Sequence, residues 1–218
     1  MGCHIQVKNL ALTYSWSSFK KNIFKDLNLC IETGSFVTIT GSNGIGKSSL
    51  VKLILGLAKP DAGEIILNNE TVRAGYPDAV RAKKAAFLSQ HIEDWFFSES
   101  VSDELMYGRD DTLNSTIMDM LEQHDLMYIL NRSIEVLSGG ERQGLALVQF
   151  MLNQAPLLIL DEPSSFLDHP RASSLQDYLK QAYSEGKTII HVTQYPSEVA
   201  WGSHHINLDD DDMRVKAL

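Results

Sequence analysis

The segment "GSNGIGKSS", residues 41–49, is the most informative part of the sequence for the fold. It follows a short apolar run, "FVTIT" (36–40), and precedes the apolar spacing of a helix over residues 47–57. Its glycines allow a tight turn that aims amide hydrogens inward, and this forms a cradle for phosphate groups at a helix N-terminus. The cradle comprises Gly41, Ser42, Asn43, Gly44, Ile45, Gly46, Lys47, Ser48 and Ser49. Because Lys-Ser stands at the required offset between strand and helix, a merely structural glycine turn is the weaker interpretation.

Two pairs of side chains carry the expected chemistry. The Lys47 ammonium can reach the β- and γ-phosphates of a nucleotide, and the Ser48 hydroxyl can ligate Mg²⁺. In "LLILDEP", four apolar residues lead to Asp161 and Glu162 at the end of a buried strand, where open α/β sheets bind ligands. We expect Asp161 to hold Mg²⁺ and Glu162 to polarise a water against the γ-phosphate. Alone, this acidic pair could cap a helix; together with the glycine loop it predicts nucleotide hydrolysis.

Short apolar runs elsewhere predict a mostly parallel sheet, because strands buried on both faces are nearly continuous in apolar residues. These runs lie at 36–40, 85–89, 157–161 and 188–193. Helical patterns lie between them, for example at 171–183. The first 35 or so residues instead alternate apolar and polar positions, which indicates antiparallel strands with one covered face.

A helical segment interrupts this pattern from about residue 91 to 136, where apolar residues such as Ile117 and Leu121 recur at helical spacing. The predicted fold class is therefore α/β. We expect a P-loop NTPase core with a mostly parallel sheet, an N-terminal antiparallel β subdomain and a small helical insertion. All of these belong to one predicted domain over residues 1–218.

Composition narrows the function classes. The 218 residues are 44% apolar with a net charge of −9, which is typical of a soluble globular protein and argues against a general nucleic-acid binder. Cys3 and Cys30 are too few for a disulfide framework, so a reducing cytosol is expected. The acidic run "LDDDDM" (208–213) favours a solvated turn, with metal binding as the second interpretation.

A third motif, "LSGGERQ" (137–143), precedes the acidic strand. With the two earlier motifs, it makes nearly the whole chain resemble the ATP-binding cassette (ABC) ATPases. The resemblance implies that Ser138, Gly139 and Gly140 contact the γ-phosphate of ATP bound to another subunit. A serine and two glycines opening a helix would also form an anion site on chemical grounds. One chain cannot easily place both anion sites on one phosphate chain, so a head-to-tail homo- or heterodimer is expected.

Other site residues follow from the resemblance. Gln90 matches the glutamine that reaches Mg²⁺ and links to the helical insertion, and Asp168 in "SSFLD" matches the family's D-loop. Trp16 best matches the aromatic that stacks on adenine, with Tyr14 second. Core packing is the alternative role for either aromatic side chain.

The segment "QHIEDWFFSESVSDELMYG" is similar to the corresponding stretch of energy-coupling factor and cobalt- or nickel-type import ATPases. That likeness implies import of a vitamin or transition-metal ion through transmembrane partner subunits. It also implies a cytoplasmic location, peripheral on the inner face of the membrane. Trp95, Phe96 and Phe97 could line the groove for a membrane subunit or be buried in the helical subdomain.

The stretch "TIIHVTQ" (188–194) departs from the ABC pattern. The family normally ends this strand with a histidine, and Gln194 stands in its place. His191 lies three residues earlier, roughly 10 Å back along a strand and on the opposite face, so we expect it to be a packed strand residue. Gln194 keeps an amide donor and an acceptor but cannot become cationic.

The predicted function is the ATP-binding and ATP-hydrolysing subunit of a membrane ABC transporter. Because Gln194 replaces the histidine, an alternative is a nucleotide-gated binding or regulatory module with little hydrolysis. A third interpretation is a soluble ABC protein acting on DNA or ribosomes. The acidic charge balance, the single cassette and the absence of a long coiled-coil insertion argue against this third interpretation.

Overall fold

The computed structural model describes residues 3–16, 19–74, 84–89, 96–107, 109, 115–165, 167–210 and 216–217. The chain divides into two units. The first, called the sheet unit, comprises Met1–Phe87, Ala155–Glu162 and Leu179–Leu218. The second, called the helical unit, comprises Leu88–Gln154 and Pro163–Tyr178, a range that includes the helical insertion expected at 91–136.

A four-stranded antiparallel sheet opens the sheet unit. Its strands are β1 (Cys3–Trp16), β2 (Phe19–Glu32), β4 (Ala62–Leu67) and β5 (Glu70–Thr71), in the order β2-β1-β4-β5. Apolar side chains at alternate positions, such as Ile5 and Val7, are buried in the core. The predicted N-terminal antiparallel subdomain is therefore confirmed, with strands longer than the sequence pattern indicated.

The second sheet has six strands in the order β10-β9-β3-β8-β7-β6. They are β3 (Phe36–Thr40), β6 (Ala85–Leu88), β7 (Leu157–Asp161), β8 (Thr188–Val192), β9 (His204–Asn207) and β10 (Lys216–Ala217). Strand β3 pairs in parallel with β8 and β9, and β7 pairs in parallel with β8. Every residue of β7 and β8 is buried, which explains their continuous apolar sequences.

The α-helices of the described residues are α1 (Lys47–Ile54), α2 (Val101–Met106), α3 (Ser115–Gln123), α4 (Gly139–Met151), α5 (His169–Ser184) and α6 (Pro196–Val199). Helix α1 ends before the predicted residue 57, because Gly56 adopts a left-handed φ of 69° just after the last turn. Helix α5 begins before the predicted residue 171, because the Asp168 carboxylate accepts the Arg171 N–H at 3.0 Å and caps the first turn.

The helical unit has an apolar core of its own. Ile117 and Leu121 of α3 pack in one cluster with Leu105 of α2 and with Leu145 and Val148 of α4. The helical spacing in the sequence therefore identified the buried face of α3 correctly. No helix within the described ranges is both long enough and apolar enough to span a bilayer.

Cys3 and Cys30 form a disulfide between β1 and β2, with their Cα atoms 5.6 Å apart. The sequence analysis expected reduced thiols, so this pairing differs from expectation. Its physical reason is the antiparallel ribbon of β1 and β2, which brings two residues separated by 27 positions in sequence onto adjacent strands.

Candidate nucleotide-binding and hydrolysis site

The parallel strands of the sheet unit end at a common edge. Thr40 pairs with Asn207, and Asp161 pairs with Val192, so β3, β9, β7 and β8 all finish there. The glycine-rich stretch 41–49, called the phosphate loop below, leaves β3 at this edge. Asp161 ends β7, Glu162 follows it, and Gln194 lies beyond β8. Distant motifs are therefore brought to one edge, as parallel topology requires.

Glycines are structurally required in the phosphate loop. Gly44 and Gly46 have φ values of 75° and 123°, in the region that residues with side chains rarely adopt. A Cβ atom on Gly46 would also lie only 2.8 Å from Cζ of Phe24. Both backbone conformation and space therefore exclude a larger residue at position 46.

The Lys47 side chain is buried within the phosphate loop. Its Nζ donates to the carbonyl oxygen of Gly41 at 2.9 Å and of Ser42 at 3.4 Å, and it lies 3.7 Å from Oε1 of Glu162. Neutral carbonyl oxygens are weaker partners for an ammonium group than phosphate oxygens are. A nucleotide phosphate would thus gain a cation that the loop already holds in place.

Asp161 and Ser48 form an oxygen-donor pair suited to Mg²⁺. Burial raises the pKa of the Asp161 carboxyl, whose residue is 6% exposed, while a hydrogen bond with the Ser48 side chain acts in the opposite direction. Oδ1 of Asp161 is buried and has no hydrogen-bond partner among the described residues. A hard cation that takes one or two protein oxygens together with phosphate oxygens fits this donor set.

Glu162 has an unusual backbone conformation for a residue with a long side chain. Its φ is 51°, and its N–H donates to the carbonyl oxygen of Val192 at 2.9 Å. Such left-handed conformations cost energy and occur preferentially at functional sites. The hydrogen bond to the end of β8 holds the strained residue next to the segment that carries Gln194.

Gln194 and His191 lie in different environments. Gln194 is exposed beyond the end of β8. His191 is completely buried, and its ring stacks on Trp201 with centroids 5.0 Å apart. The prediction that His191 is a packed strand residue is therefore confirmed.

The β1–β2 hairpin contacts the phosphate loop at two points. The Tyr14 hydroxyl lies 3.2 Å from Oγ of Ser49, and Lys21 Nζ donates to the Gly44 carbonyl oxygen at 2.8 Å. Trp16 ends β1, and its side chain lies outside the part of the structure that is described. The sequence analysis missed Lys21, because a lysine on an exposed strand carries no pattern that distinguishes it from ordinary surface charge.

Asp209 also contacts the phosphate loop. Its carboxylate accepts the Ser42 N–H and the Ser42 Oγ–H, each at 2.7 Å. The sequence analysis favoured a solvated turn for the acidic run; Asp209 is exposed, but it also bonds to the loop. The favoured interpretation as a solvated turn therefore holds for Asp209, which in addition bonds to the phosphate loop. Residues 211–213 of the run lie outside the described residues.

The segment "LSGGERQ" begins α4 in the helical unit. Ser138 Oγ accepts the Glu141 N–H at 3.3 Å, and the Ser138 N–H donates to Oε2 of Glu141 at 2.7 Å, forming a capping box. Gly139 and Gly140 are exposed. Apart from their own helix and chain neighbours, a Cβ atom on either would meet no described atom within 4 Å. The segment therefore offers an open helix N-terminus to an anion.

Gln90 and Asp168 are two further residues that the sequence predicts for the site. Gln90 lies outside the described residues. Asp168 is exposed in the helical unit, caps α5 and forms an ion pair with Arg171 at 3.2 Å. Its carboxylate is therefore already bound within its own helix turn.

An α/β sheet with a glycine-rich phosphate loop between β3 and α1 defines the class of P-loop nucleoside triphosphatases. The sequence pattern of the ABC transporter family matches residues 24–165, and the chain belongs to this family. ABC ATP-binding cassettes are ATPases, and the chain is an ATPase of that kind.

Two relatives illustrate the range of similar proteins. The chain is 29% identical over 219 residues to the energy-coupling factor transporter ATP-binding protein EcfA1 of Fusobacterium nucleatum subsp. nucleatum, covering 97% of this chain and 81% of that protein. It is 34% identical over 187 residues to ABC transporter F family member 2 of Arabidopsis thaliana, covering 86% of this chain but 26% of that protein. The chain thus spans most of the bacterial relative and about a quarter of the plant relative.

Solved structures of cassettes have the same fold. The ATP-binding cassette MJ0796, as a dimer in a post-hydrolysis state with ADP and Pi, superposes with a TM-score of 0.80 at 25% identity, covering 97% of this chain and 96% of that one. The structure of cbiO1 from Clostridium perfringens, part of the cbiONQ transporter complex, gives a TM-score of 0.73 at 24% identity, covering 99% and 87%. At 24% identity, the likeness to cbiO1 shows a shared fold and nothing further.

Proposed function

We propose that this ABC ATPase energises a membrane transporter by binding and hydrolysing ATP at the carboxyl edge of its sheet unit. The observation that carries the proposal is the contact between the buried Lys47 ammonium and the strained Glu162, together with an Oδ1 of Asp161 that has no hydrogen-bond partner in the described part of the chain. A cation for phosphate, a carboxylate for water and an oxygen ligand for Mg²⁺ are then available together. These are the parts that phosphoryl transfer requires.

Each residue has a defined role in this proposal. The amides of the phosphate loop and Lys47 bind the β- and γ-phosphates, and Glu162 orients the attacking water. Ser48 and Asp161, joined by Gln90, would hold Mg²⁺, which when bound neutralises charge on the phosphate oxygens. Gln194 donates its amide to the γ-phosphate or to the water.

The adenine ring is assigned to Trp16. Tyr14, the second candidate, already uses its hydroxyl on Ser49 and packs against the core of the sheet unit. Those contacts favour a supporting role for Tyr14 beneath the loop. Trp16, near the tip of the same hairpin, then supplies the aromatic face for stacking.

A second cassette completes the site in this proposal. Ser138, Gly139 and Gly140 form the exposed anion site of the helical unit, and they would contact the γ-phosphate of ATP held by the partner subunit. Asp168 would lie near the same interface. The dimeric state of the MJ0796 cassette, which superposes with a TM-score of 0.80, supports this arrangement.

We place the transmembrane partner on a groove of the helical unit with a volume of about 480 Å³. It is lined by Phe96, Phe97, Ser98, Glu99, Ser133, Ile134, Glu135 and Arg142. Phe97 is 75% exposed and stacks on the exposed Tyr107, whereas Phe96 packs partly against the helical core. Of the two interpretations of this aromatic segment, the exposure of Phe97 supports the groove; Trp95 lies outside the described residues.

A buried carboxylate gives this groove a fixed wall. Oε2 of Glu104 accepts the N–H groups of Phe97 and Ser98 at 2.9 and 2.8 Å, and Gln149 donates to Oε1 of Glu104 at 2.9 Å. Phe97 is therefore displayed on an anchored backbone, as a docking surface for a short helix of a membrane subunit requires.

The finer proposal is import of a vitamin or a transition-metal ion, with the chain on the cytoplasmic face of the membrane. The relation to an energy-coupling factor ATPase over 97% of the chain supports it.

The test of the proposed function is steady-state phosphate release by the purified chain and by the complex with its co-purifying membrane chains. We expect turnover that the membrane chains stimulate. Absence of turnover in both preparations would contradict the proposal.

A further inference from the structure

Both chain neighbours of Gln194 belong to one ring of hydrogen bonds. Thr193 Oγ1 donates to Oε2 of Glu198 at 2.6 Å and accepts the Tyr195 N–H at 3.0 Å. The Glu198 N–H donates to the Tyr195 carbonyl oxygen at 3.0 Å, and the Thr193 N–H donates to Ile39 of β3 at 3.0 Å. Gln194 is thus the exposed tip of a turn that is fixed on both sides.

His191 supports this ring from inside the sheet unit. Its Nε2 lies 3.3 Å from Oε2 of Glu198 without forming an aligned hydrogen bond, and its ring stacks on Trp201. His191 is 0% exposed and Glu198 is 7% exposed. The carboxylate that closes the ring is therefore packed against a buried imidazole.

We propose that Thr193 and Glu198 are positioning residues that orient the Gln194 amide toward the γ-phosphate. This inference rests on the proposed role of Gln194 in hydrolysis. The same strand end holds Glu162, whose N–H donates to Val192. A fixed turn after Val192 consequently sets the relative position of the carboxylate that orients water and the amide that donates to phosphate.

Stability alone gives a weak reason for this arrangement. Helix α6 has only four residues, Pro196–Val199, and a buried pair of ionisable groups often contributes little net stability compared with apolar packing. The ring instead fixes the backbone conformation on both sides of Gln194, and an exposed turn without these hydrogen bonds would not keep that conformation. Catalysis by a neutral amide depends on such preorganisation.

The test is a double-mutant cycle between Glu198→Ala and Gln194→Ala, with kcat, KM for ATP and ATP affinity measured for each variant. We expect Glu198→Ala to lower kcat about tenfold or more, while ATP affinity changes less than about twofold. The double variant should be no slower than Gln194→Ala alone, because both changes act through one residue. Glu198→Gln should retain most activity, since its amide oxygen can still accept from Thr193. Ser197→Ala, at an exposed position of α6, is the matched control.

Independent, multiplicative losses in the double variant would overturn the positioning role, as would an unchanged kcat in Glu198→Ala. If Glu198→Ala does not fold, Thr193→Val removes the same hydrogen bond and enters the same cycle. A wild-type chain that binds but never hydrolyses ATP, alone or with its membrane chains, would instead overturn the proposed function. The two failures are therefore distinguishable.

Discussion

Lys47 and Glu162 are in contact at the carboxyl edge of the sheet unit, with Nζ 3.7 Å from Oε1 and both side chains largely buried. The contact links Glu162, just after β7, to the phosphate loop. A γ-phosphate would compete with Glu162 for the ammonium group. Nucleotide binding is therefore expected to release the carboxylate for the attacking water.

Replacing the buried cation should remove nucleotide binding. We expect Lys47→Ala to weaken Mg-ATP binding about 100-fold or more, because a charge-assisted contact contributes up to about 3 kcal/mol and about 1.4 kcal/mol is tenfold. Calorimetric titration measures the affinity, and a thermal melt checks the fold. Lys59→Ala, an exposed lysine beyond α1, is the control. Unchanged affinity in Lys47→Ala would rule out the phosphate-loop assignment.

Asp161 gives a prediction with a defined pH dependence. Its pKa is raised by burial, so the charged carboxylate destabilises the folded chain once the pH rises through that raised pKa. Asp161→Asn should therefore have a higher Tm than wild type at pH 7, and the difference should vanish below about pH 4, the ordinary range of an aspartate. Each kcal/mol recovered corresponds to roughly 2–4 °C in a chain of this size.

The same variant should lose the extra stabilisation that Mg-ATP gives to wild type. Asp119→Asn, an exposed aspartate on α3, is the control for charge alone. A Tm of Asp161→Asn at or below that of wild type at pH 7, with the fold intact, would contradict the destabilisation of the fold by the buried carboxylate. Retained Mg²⁺-dependent stabilisation would contradict its role as a ligand.

Local patterns were enough to predict the strands, the phosphate loop and the acidic pair, because each depends on a few consecutive residues. Contacts set by the order of strands were not predictable in this way. Asp209 reaches Ser42 across 167 positions only because β9 lies beside β3. Glu198 reaches His191 because the chain turns back after β8. In both cases the three-dimensional neighbour, rather than the local pattern, decides the role of the residue.

The segment "LSGGERQ" (137–143) should act across a dimer. We expect Ser138→Arg to keep ATP binding but lose hydrolysis, because the bulky cation blocks an anion site that serves the partner's nucleotide. Mixing it with Lys47→Ala chains leaves one intact composite site in each mixed dimer, so part of the activity should return. Co-purification of an untagged variant with an affinity-tagged copy of the other verifies that mixed dimers form. If they form without any recovery of turnover, shared sites are ruled out.

Gln194 should contribute to the rate although it is neutral. We expect Gln194→Ala to lower hydrolysis at least about tenfold, which corresponds to ~1.4 kcal/mol of transition-state stabilisation. Gln194→His should be tolerated, since it restores a ring donor at the same position. His191→Ala should lower thermal stability more than turnover. Loss of turnover in His191→Ala with unchanged turnover in Gln194→Ala would show that His191, and not Gln194, has this role.

The most direct test of the account is phosphate release by Glu162→Gln at saturating Mg-ATP, measured beside wild type together with ATP affinity. The substitution keeps the size of the side chain but removes the carboxylate that orients water. We predict retained ATP binding, a population of ATP-bound dimer, and a loss in rate on the order of 10²-fold or more. Equal phosphate release by the variant and the wild type would contradict the account, since the carboxylate beside Lys47 would then have no part in hydrolysis.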